Sequence, residues 1–289
     1  MNNKLDNYVL MIDNYLASML SCENEKQVRL IEAMKYSIGA GGKRIRPVLT
    51  LEFCRVFGGD VKKALPVACA IEAAHTFSLI HDDLPSMDND DFRRGKPSCH
   101  KQFDEVTALL AGDALAIFPF ELISGSELDD SAKVRLVSEL SKALGAYGMI
   151  GGQQIDTQFE NQRLDADELI RMYELKTSRL LQAACCCGAI CAGADKAKVE
   201  IAREYAKNLG IAFQLVDDVL DVKGDEKELG KPVGSDADNF KNTYAAINGV
   251  EKTESAAKEY TFKALETLEH ITDNEFLILL TKQLLERKK

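Results

Sequence analysis

The sequence predicts an all-α protein, and three observations support this prediction. Long segments repeat apolar residues with a period of about 3.6 residues, which is typical of amphipathic or buried helices. Few segments alternate apolar and polar residues as a β-strand does, and Gly and Pro fall mostly between the periodic segments. With 46% hydrophobic and 28% charged residues, the 289-residue chain has the balance of a globular protein with a sizeable core.

The predicted helices follow one another along the chain with short connections. They span about 4–20, 26–39, 44–57, 61–84, 104–123, 131–149, 167–192, 197–222, 239–248, 252–268 and 273–286. No linker, fixed-period repeat or low-complexity tract interrupts this series. We therefore predict a single domain over residues 1–289.

The net charge of −10 argues against nucleic acid or an anionic membrane surface as the main partner. No uninterrupted apolar run approaches the roughly 18 residues that span a membrane, and the first residues lack a signal-peptide pattern. We expect a cytoplasmic protein without stable membrane insertion. Of eight cysteines, four cluster at Cys185, Cys186, Cys187 and Cys191. Since no pair of C-x₂-C units occurs, we interpret the cysteines as small buried thiols without a metal or redox function.

The first candidate for chemistry is a cluster of charges in the segment from His75 to His100. Asp82 and Asp83 end a helix-like stretch of small and apolar residues, and Pro85 then breaks the helix. His75 lies on the same helical face as Asp82, seven residues earlier. Carboxylates crowded at the end of a buried helix need a cation, and their oxygens suit Mg²⁺ that is shared with substrate phosphates. A solvated acidic loop would explain this one cluster equally well.

A second cluster makes the solvated loop a poorer explanation. Asp217, Asp218 and Asp221 end another apolar helix-like stretch, and Gln214 shares one helical face with Asp217 and Asp221. Two helices that each carry paired aspartates out of an apolar body would form a cage for polyvalent metal ions if they faced each other.

A glycine-rich turn, SIGAGGKRIRP at 37–47, is the third candidate. Its glycines are followed at once by Lys43, Arg44 and Arg46. Backbone N–H groups at a helix start, together with basic side chains, can form a phosphate site. Taken alone, a loop with a solvated basic edge would account for the same residues.

Together these segments resemble the trans-prenyltransferases. DDLPSMDNDDFRRGKPSCH, from Asp82 to His100, looks like their first aspartate-rich motif in its longer form, and FQLVDDVLD looks like the second. Further matches are GGKRIRP at 41–47, GGQQID at 151–156, LKTSRL at 175–180, LGKPVGSD at 229–236 and KNTY at 241–244. The chain is similar to bacterial-type short-chain isoprenyl diphosphate synthases, and most of all to farnesyl diphosphate synthases. This resemblance implies the isoprenoid synthase fold, a single large bundle of about ten or more helices around a central active-site cavity.

The resemblance also implies which residues bind substrates and metal. The diphosphate of isopentenyl diphosphate is expected at Lys43, Arg46, His75 and Arg94, beside Gly42, whereas Arg93 would contact an allylic diphosphate. The implied cofactor is Mg²⁺, as three ions, with Mn²⁺ as an alternative. Its implied ligands are Asp82, Asp83, Asp88, Asp217, Asp218 and Asp221.

The implied catalytic residues act on the leaving diphosphate and on the carbocation it leaves behind. Lys176 and Lys231 would neutralise the leaving group, while Thr177 and Gln214 would direct their dipoles at the cation. The polar segment 222–240 is interpreted as a lid that delivers Lys231.

Three further residues have less direct roles. Lys241 matches a further basic substrate-binding position of the family. Gln153 and Asp156 are spaced i and i+3 on a glycine-flanked helix, and we expect them to orient a nearby basic residue or a metal-bound water.

The implied reaction is ionisation of an allylic diphosphate, condensation with isopentenyl diphosphate and loss of a proton. No Ser–His–Asp or Cys–His set is visible, and this reaction requires none. Phe77 lies five residues before Asp82 and is expected to limit the product to fifteen carbons. The small Ser78 beside it leaves a twenty-carbon product open, and helix geometry places Ser78 on the Asp82 face.

Several alternatives share part of this pattern. A geranylgeranyl diphosphate synthase would share every motif and differ in the depth of its pocket. A terpene cyclase would not need Lys43, Arg46 and Arg94 for a second diphosphate, and a non-catalytic partner subunit would be expected to have lost aspartates. A metal phosphohydrolase built on His81 and Asp82 lacks further histidines in a ligand pattern. The resemblance further implies a homodimer formed through apolar helix faces.

Overall fold

The computed structural model describes residues 2–20, 25–159, 162–223 and 243–286. These residues are helical almost throughout, and the strands among them form a single two-stranded hairpin. The predicted all-α fold class is confirmed. The contacts divide the chain into two compact units, 2–138 with 187–194 (the N-terminal unit) and 139–186 with 195–289 (the C-terminal unit). A single domain over 1–289 stays a prediction.

The N-terminal unit is built from seven elements and the first part of an eighth, in the residues that the structure describes. They are α1 Asn2–Met19, α2 Val28–Ile38 after a 3-10 turn Glu25–Gln27, α3 Ile45–Val56, α4 Val61–Asp82, the hairpin β1 Phe92–Arg93 and β2 Lys96–Pro97, α5 Cys99–Gln102, α6 Glu105–Ser124 and residues 130–138 of α7 Asp130–Leu144. The hairpin and the short α5 have no counterpart among the predicted elements. Each is only a few residues long, too short for an apolar period to show.

Helix α4 is the buried helix of this unit and carries three of the predicted site residues. The Asp60 side chain caps its start by accepting the Lys62 N–H at 2.8 Å. Fully buried alanines along the helix let α3 and α6 pack closely against it. The helix ends at Asp82, within two residues of the predicted end, before Pro85.

A left-handed turn fixes where α3 begins. Gly41, Gly42 and Arg44 have φ of 88°, 122° and 50°, so the chain reverses before Ile45. The buried Arg44 side chain bonds to Asp13 at 2.9 Å, to Glu72 at 2.7 Å and to a backbone carbonyl of α2 at 2.8 Å. Arg44 thus holds α1, α2 and α4 together, whereas its neighbour Lys43 is exposed.

The C-terminal unit holds the remaining described elements. They are the end of α7, α8 Met149–Gln158, α9 Ala166–Tyr173, a π-helical segment Glu174–Ser178, α10 Arg179–Cys191, α11 Lys196–Lys223, α12 Tyr244–Asn248, α13 Val250–Leu268 and α14 Glu275–Leu285. Helix α11 packs against α13 and against the π segment, and α8 packs against the other side of the π segment. A buried cluster under α9 and α11 consists of Leu164, Leu169, Met172, Tyr173, Ile211, Leu215 and Ala257.

Several predicted helices differ from the structure. The helix predicted at 167–192 is interrupted by the π turn at 174–178, and the one predicted at 131–149 ends at Leu144 before a glycine. Helix α8 was absent from the predicted list, although Gln153 and Asp156 were expected on a helix and do lie on one. The helix predicted at 239–248 begins outside the described residues, and its described part is α12.

Two helices, α4 and α6, are long and apolar enough to cross a membrane by length and composition alone. Of the apolar 18-residue window in each helix, 67% is buried inside the protein for α4 and 33% for α6.

The cysteines at 185, 186 and 187 are fully buried, and burial raises the pKa of Cys185 and Cys186. Their environment agrees with the interpretation as structural thiols.

Candidate active site

Three segments of the N-terminal unit bring basic side chains together at the start of α3. Arg46 on α3 lies with its Nη1 3.4 Å from Nε2 of His75 on α4. The Arg94 side chain donates to the Gly41 carbonyl, and a Cβ added to Gly42 would lie 2.6 Å from the Arg94 Cζ. Gly42 therefore lacks a side chain because the Arg94 guanidinium occupies that space.

This basic group, defined here as Arg46, His75 and Arg94, is short of negative charge. Burial lowers the pKa of Arg46 to about 10, with Glu72 opposing the shift and Arg94 adding to it. Burial and then the charges of Arg46 and Arg94 hold the pKa of His75 well below its ordinary value of 6.5. At neutral pH the Arg46 guanidinium therefore donates to a neutral imidazole. The buried Nε of Arg46 has no hydrogen-bond partner in the described part of the chain, so the group has capacity for an anion.

A tight turn explains why the adjacent Arg93 and Arg94 meet different partners. Arg93 and Lys96 pair across the hairpin, and the two residues between them, Arg94 and Gly95, have φ of 54° and 75°. Positive φ at both central positions is the requirement of a type I′ turn. Arg93 binds Asp83, with Nε 2.9 Å from Oδ1, and Asp90 at 3.1 Å, while Arg94 reaches the turn before α3.

The first aspartate motif separates into two kinds of carboxylate. The Asp88 N–H donates to the Asp82 carbonyl at 2.9 Å, so the loop folds back and brings these two residues together. Asp82 is half-buried at the end of α4, and Asp88 is exposed. Asp83 is buried against Arg93, and burial raises its pKa although Arg93 opposes the shift. The structure thus brings Asp82 and Asp88 together at the end of α4 and pairs Asp83 with Arg93.

In the C-terminal unit, the π segment 174–178 presents two of the predicted catalytic residues. The Lys176 Nζ lies 2.5 Å from Oδ2 of Asp156, so Asp156 does contact a basic residue. The Thr177 hydroxyl donates to Oε1 of Gln214 at 3.1 Å, which joins the two predicted dipoles. Single π turns inside helices are found frequently at functional sites.

Two glycines allow the neighbouring helices to approach this segment closely. A Cβ added to Gly152 on α8 would lie 2.3 Å from the Lys176 backbone nitrogen. A Cβ added to Gly210 on α11 would lie 2.6 Å from the Ser178 Cα. The π segment is therefore held between two helix faces that have no side chain at the contact. The GGQQID motif at 151–156 contains Gly152, but no function was predicted from the sequence for Gly152 or for Gly210.

The second aspartate motif lies near the end of α11. Asp217 is half-buried and Asp221 is buried. Asp218 is also buried, and its Oδ2 accepts the Tyr173 hydroxyl at 2.6 Å and the Tyr244 N–H at 2.7 Å. The predicted Lys231 and Lys241, and residues 224–240 of the predicted lid, lie outside the described residues.

Comparison with known proteins decides the family. Residues 27–275 match the family model for polyprenyl synthetases. The chain belongs to this family.

Curated polyprenyl synthetases are similar over most of their length. The chain is 44% identical to the farnesyl diphosphate synthase of Micrococcus luteus over 275 residues, which cover 94% of each protein. It is 50% identical to that of Geobacillus stearothermophilus over 228 residues, covering 77% of this chain and 76% of the relative. It is also 44% identical to geranylgeranyl pyrophosphate synthase 7 of Arabidopsis thaliana over 245 residues, covering 83% and 71%.

A solved structure extends the similarity to the whole fold. The geranyltransferase of Helicobacter pylori, complexed with magnesium and isoprenyl diphosphate, matches with a TM-score of 0.83 and 32% identity. The match covers 98% of this polyprenyl synthetase and 95% of that chain.

The carboxylates of this polyprenyl synthetase fit Mg²⁺ better than a metal held by protein alone. Among the described residues, no three His, Cys, Asp or Glu side chains converge in a way that could hold a metal ion. Mg²⁺ commonly uses only one or two protein carboxylates and takes its other ligands from water and substrate phosphates. Within the N-terminal unit, the hard oxygen donors of Asp82 and Asp88, with a basic group that has capacity for an anion, are consistent with that mode.

A metal phosphohydrolase site was the alternative that involved His81, and the environment of this histidine differs from that of His75. Its Nε2 lies 3.1 Å from the Leu109 carbonyl and 3.7 Å from Asp113, and a Cβ on Gly112 would lie 2.0 Å from the same nitrogen. His81 therefore faces α6 and is engaged there. Phe77 is buried and stacks edge-on against the His81 ring at 5.9 Å, on the same side of α4.

Proposed function

We propose that this prenyltransferase makes farnesyl diphosphate from isopentenyl diphosphate and dimethylallyl or geranyl diphosphate. The observation that carries the proposal is the basic group of Arg46, His75 and Arg94, with the unpartnered buried nitrogen of Arg46. A second diphosphate-binding group is what distinguishes a condensing enzyme from one that only ionises its substrate. The identity of 44% and 50% to two bacterial farnesyl diphosphate synthases supports the same conclusion.

Isopentenyl diphosphate is held by the basic group together with Lys43. Guanidinium groups bind phosphate oxygens in a bidentate manner, and Arg46 and Arg94 bring two of them to one place. The neutral His75 adds a hydrogen-bonding ring nitrogen without adding charge repulsion. Lys43 is exposed beside Gly42, at the open edge of this group.

The allylic diphosphate is ionised by basic residues that take up the charge of the leaving group. Arg93 and Lys176 are the described ones, and we assign Lys231 and Lys241 to the same task. Mg²⁺, as three ions or replaced by Mn²⁺, supplies further charge neutralisation when it is bound, with Asp82, Asp88, Asp217 and Asp221 as ligands. Asp83 and Asp218 were predicted as ligands as well, and their contacts to Arg93 and Tyr173 favour a supporting role.

The carbocation is stabilised by oxygens that are already oriented. The Thr177 hydroxyl donates its proton to Gln214, so its lone pairs are turned away from Gln214. Fixed dipoles stabilise a developing charge without reorganisation during the reaction. We assign none of the described side chains as a general base. The released diphosphate takes the proton that is lost in the last step.

We further propose a cytoplasmic homodimer that forms through α6. Val106, Leu109, Leu110 and Ile117 on this helix are between 46% and 69% exposed. Apolar side chains of this size grouped on one helix are typical of a protein interface. A second copy of the chain would cover them.

The test is product analysis with purified protein, isopentenyl diphosphate, dimethylallyl or geranyl diphosphate, and Mg²⁺. Dephosphorylated farnesol, absent when the metal is chelated, is the expected product. Geranylgeraniol would keep the reaction but replace the product with that of a geranylgeranyl diphosphate synthase. Absence of any Mg²⁺-dependent condensation would refute the proposal and favour a non-catalytic partner subunit.

A matched pair of variants tests the aspartates. Asp82→Asn removes a proposed ligand and should reduce the rate by orders of magnitude. Asp91→Asn changes an exposed aspartate of the same segment that pairs with Lys101 at 2.9 Å, and it should leave the rate nearly unchanged. Equal effects of the two substitutions would contradict the assignment.

A further inference from the structure

Three segments of the C-terminal unit meet at the buried carboxylate of Asp218. The Tyr173 hydroxyl donates to Oδ2 of Asp218 at 2.6 Å. The backbone N–H of Tyr244 lies 2.7 Å from the same oxygen and 3.0 Å from the Tyr173 oxygen. The three groups form a closed triangle of hydrogen bonds, and the side chains of Tyr173 and Asp218 are 4% and 3% exposed.

Two members of this triangle, Tyr173 and Asp218, lie next to residues of the proposed active site. Tyr173 is the last residue of α9 and immediately precedes the π segment with Lys176 and Thr177. Asp218 lies on α11 directly after Asp217. Tyr244 is the first residue of α12, where a backbone N–H has no acceptor within its own helix.

The hydrogen bonds give the triangle a defined geometry. A carboxylate this far from water is costly unless protein donors replace the water, and here a hydroxyl and an N–H do so. An ionised carboxylate can only accept hydrogen bonds, whereas a phenol can donate one, so the Tyr173 hydroxyl is the donor. The direction of the Tyr173–Asp218 bond is therefore set.

The hydroxyl of Tyr173 has a function separate from that of its ring. The ring belongs to the buried cluster that includes Leu169, Ile211 and Leu215, which holds α9 against α11 by apolar packing. That packing can tolerate small sliding of one helix against the other, whereas a hydrogen bond of 2.6 Å cannot. Together with the Thr177–Gln214 bond, this bond therefore helps to set the register of the π segment relative to α11.

We propose that Tyr173 and Asp218 are positioning residues that set Lys176 and Thr177 against Asp217, and so set the affinity for metal and diphosphate. The inference rests on the proposed function. Tyr173 and Asp218 would then affect the bound metal and the leaving group indirectly, by fixing the positions of neighbouring residues.

The test compares Tyr173→Phe with Tyr205→Phe. Both substitutions remove one hydroxyl from a buried tyrosine of the same unit and keep the ring. The Tyr205 hydroxyl bonds to Thr281 on α14 at 2.8 Å. Tyr205→Phe therefore controls for the loss of a buried hydrogen bond as such.

Two readouts are needed, one with turnover and one without. The first is the Mg²⁺ concentration that gives half the maximal rate, with the KM for geranyl and for isopentenyl diphosphate. The second is the rise in unfolding temperature caused by Mg²⁺ with inorganic diphosphate. For Tyr173→Phe we expect the half-maximal Mg²⁺ concentration and the KM for geranyl diphosphate to rise about tenfold. The KM for isopentenyl diphosphate should stay within about twofold, and most of the thermal shift should be lost.

The outcomes separate this inference from the proposed function. A Tyr173→Phe protein with the Mg²⁺ dependence and thermal shift of Tyr205→Phe would overturn the inference, whatever its stability. An Asp218→Asn, Tyr173→Phe double variant should lose no more metal affinity than the worse single variant, and additive losses would overturn the coupling. If the wild-type protein condensed nothing, the proposed function would fail. The thermal shift by Mg²⁺ and diphosphate would then still decide whether the Tyr173 hydroxyl matters for their binding.

Discussion

Replacing Gly152 by alanine should strongly reduce kcat while most of the protein stays folded. The new methyl group would lie 2.3 Å from the Lys176 nitrogen and 2.6 Å from the Lys176 Cα, whereas real Cβ atoms essentially never come closer than 3.0 Å to a neighbour. Since unstrained carbon contacts lie at about 3.5–4.0 Å, α8 and the π segment must separate by about 1 Å. The atoms that must move belong to the backbone that presents Lys176 and Thr177.

The size of each effect follows from this displacement. Overpacking costs about 1–3 kcal/mol, and the better helix propensity of alanine returns up to about 1 kcal/mol. The free energy of unfolding should therefore fall by no more than about 3 kcal/mol. A shift of about 1 Å in a positioned catalytic group can reduce the rate about a hundredfold, and we expect a loss of kcat of that order.

The assay pairs steady-state kinetics with urea unfolding, for Gly152→Ala and for Gln154→Ala. Gln154 is exposed on the same helix, so its substitution controls for a change in α8 that does not touch the π segment. Gly152→Ala with the kcat of the wild-type protein would refute the idea that this contact positions Lys176. A loss of kcat no larger than the loss of folded protein would refute it as well.

Four further predictions follow from other parts of the structure. Phe77→Ala should lengthen the product from fifteen to twenty carbons, seen by chromatography of the alcohols, and an unchanged product would remove Phe77 as the limit. Ile117→Glu places a charge on the exposed face of α6 and should turn a dimer into a monomer in light scattering; a persisting dimer would exclude that face. Because the native pKa of His75 lies below 6.5, the unfolded chain binds a proton that the native one does not, and stability should fall as the pH drops below 6.5. The slope from this residue is at most about 1.4 kcal/mol per pH unit, and His75→Gln should remove it from the urea unfolding curves. Arg44→Met leaves Glu72 buried without its main partner and should cost about 3–5 kcal/mol of unfolding free energy; a loss below 1 kcal/mol would contradict the importance of the pair.

Local pattern was sufficient for the two helices that carry the aspartates. Apolar periodicity predicted α4 and α11 within a few residues of their observed ends. The same geometry placed His75 with Asp82, and Gln214 with Asp217, on shared faces. These relations depend only on residues within two helical turns of each other, so no knowledge of the remaining chain is needed.

Neighbouring basic residues show where local pattern stops. Lys43 and Arg44 are adjacent and chemically similar, yet only Arg44 is buried, because its partners Asp13 and Glu72 lie on other helices. Arg93 and Arg94 are also adjacent, yet they bind different partners because the chain turns at Arg94 and Gly95. The sequence pattern predicted a basic site for phosphate, but it could not assign each side chain to a partner.

The π segment shows most clearly which features follow from the sequence pattern and which follow from tertiary packing. The sequence by itself determined a helix through Lys176 and Thr177, the type of fold and the chemistry of the acidic and basic residues. Only the tertiary structure decided that this helix contains a π turn, held by Gly152 and Gly210, and that Asp218 binds Tyr173 and Tyr244, which are 45 and 26 residues away. Periodicity records how a residue relates to its own helix, whereas such contacts form only when distant helices pack, and packing depends on the whole chain.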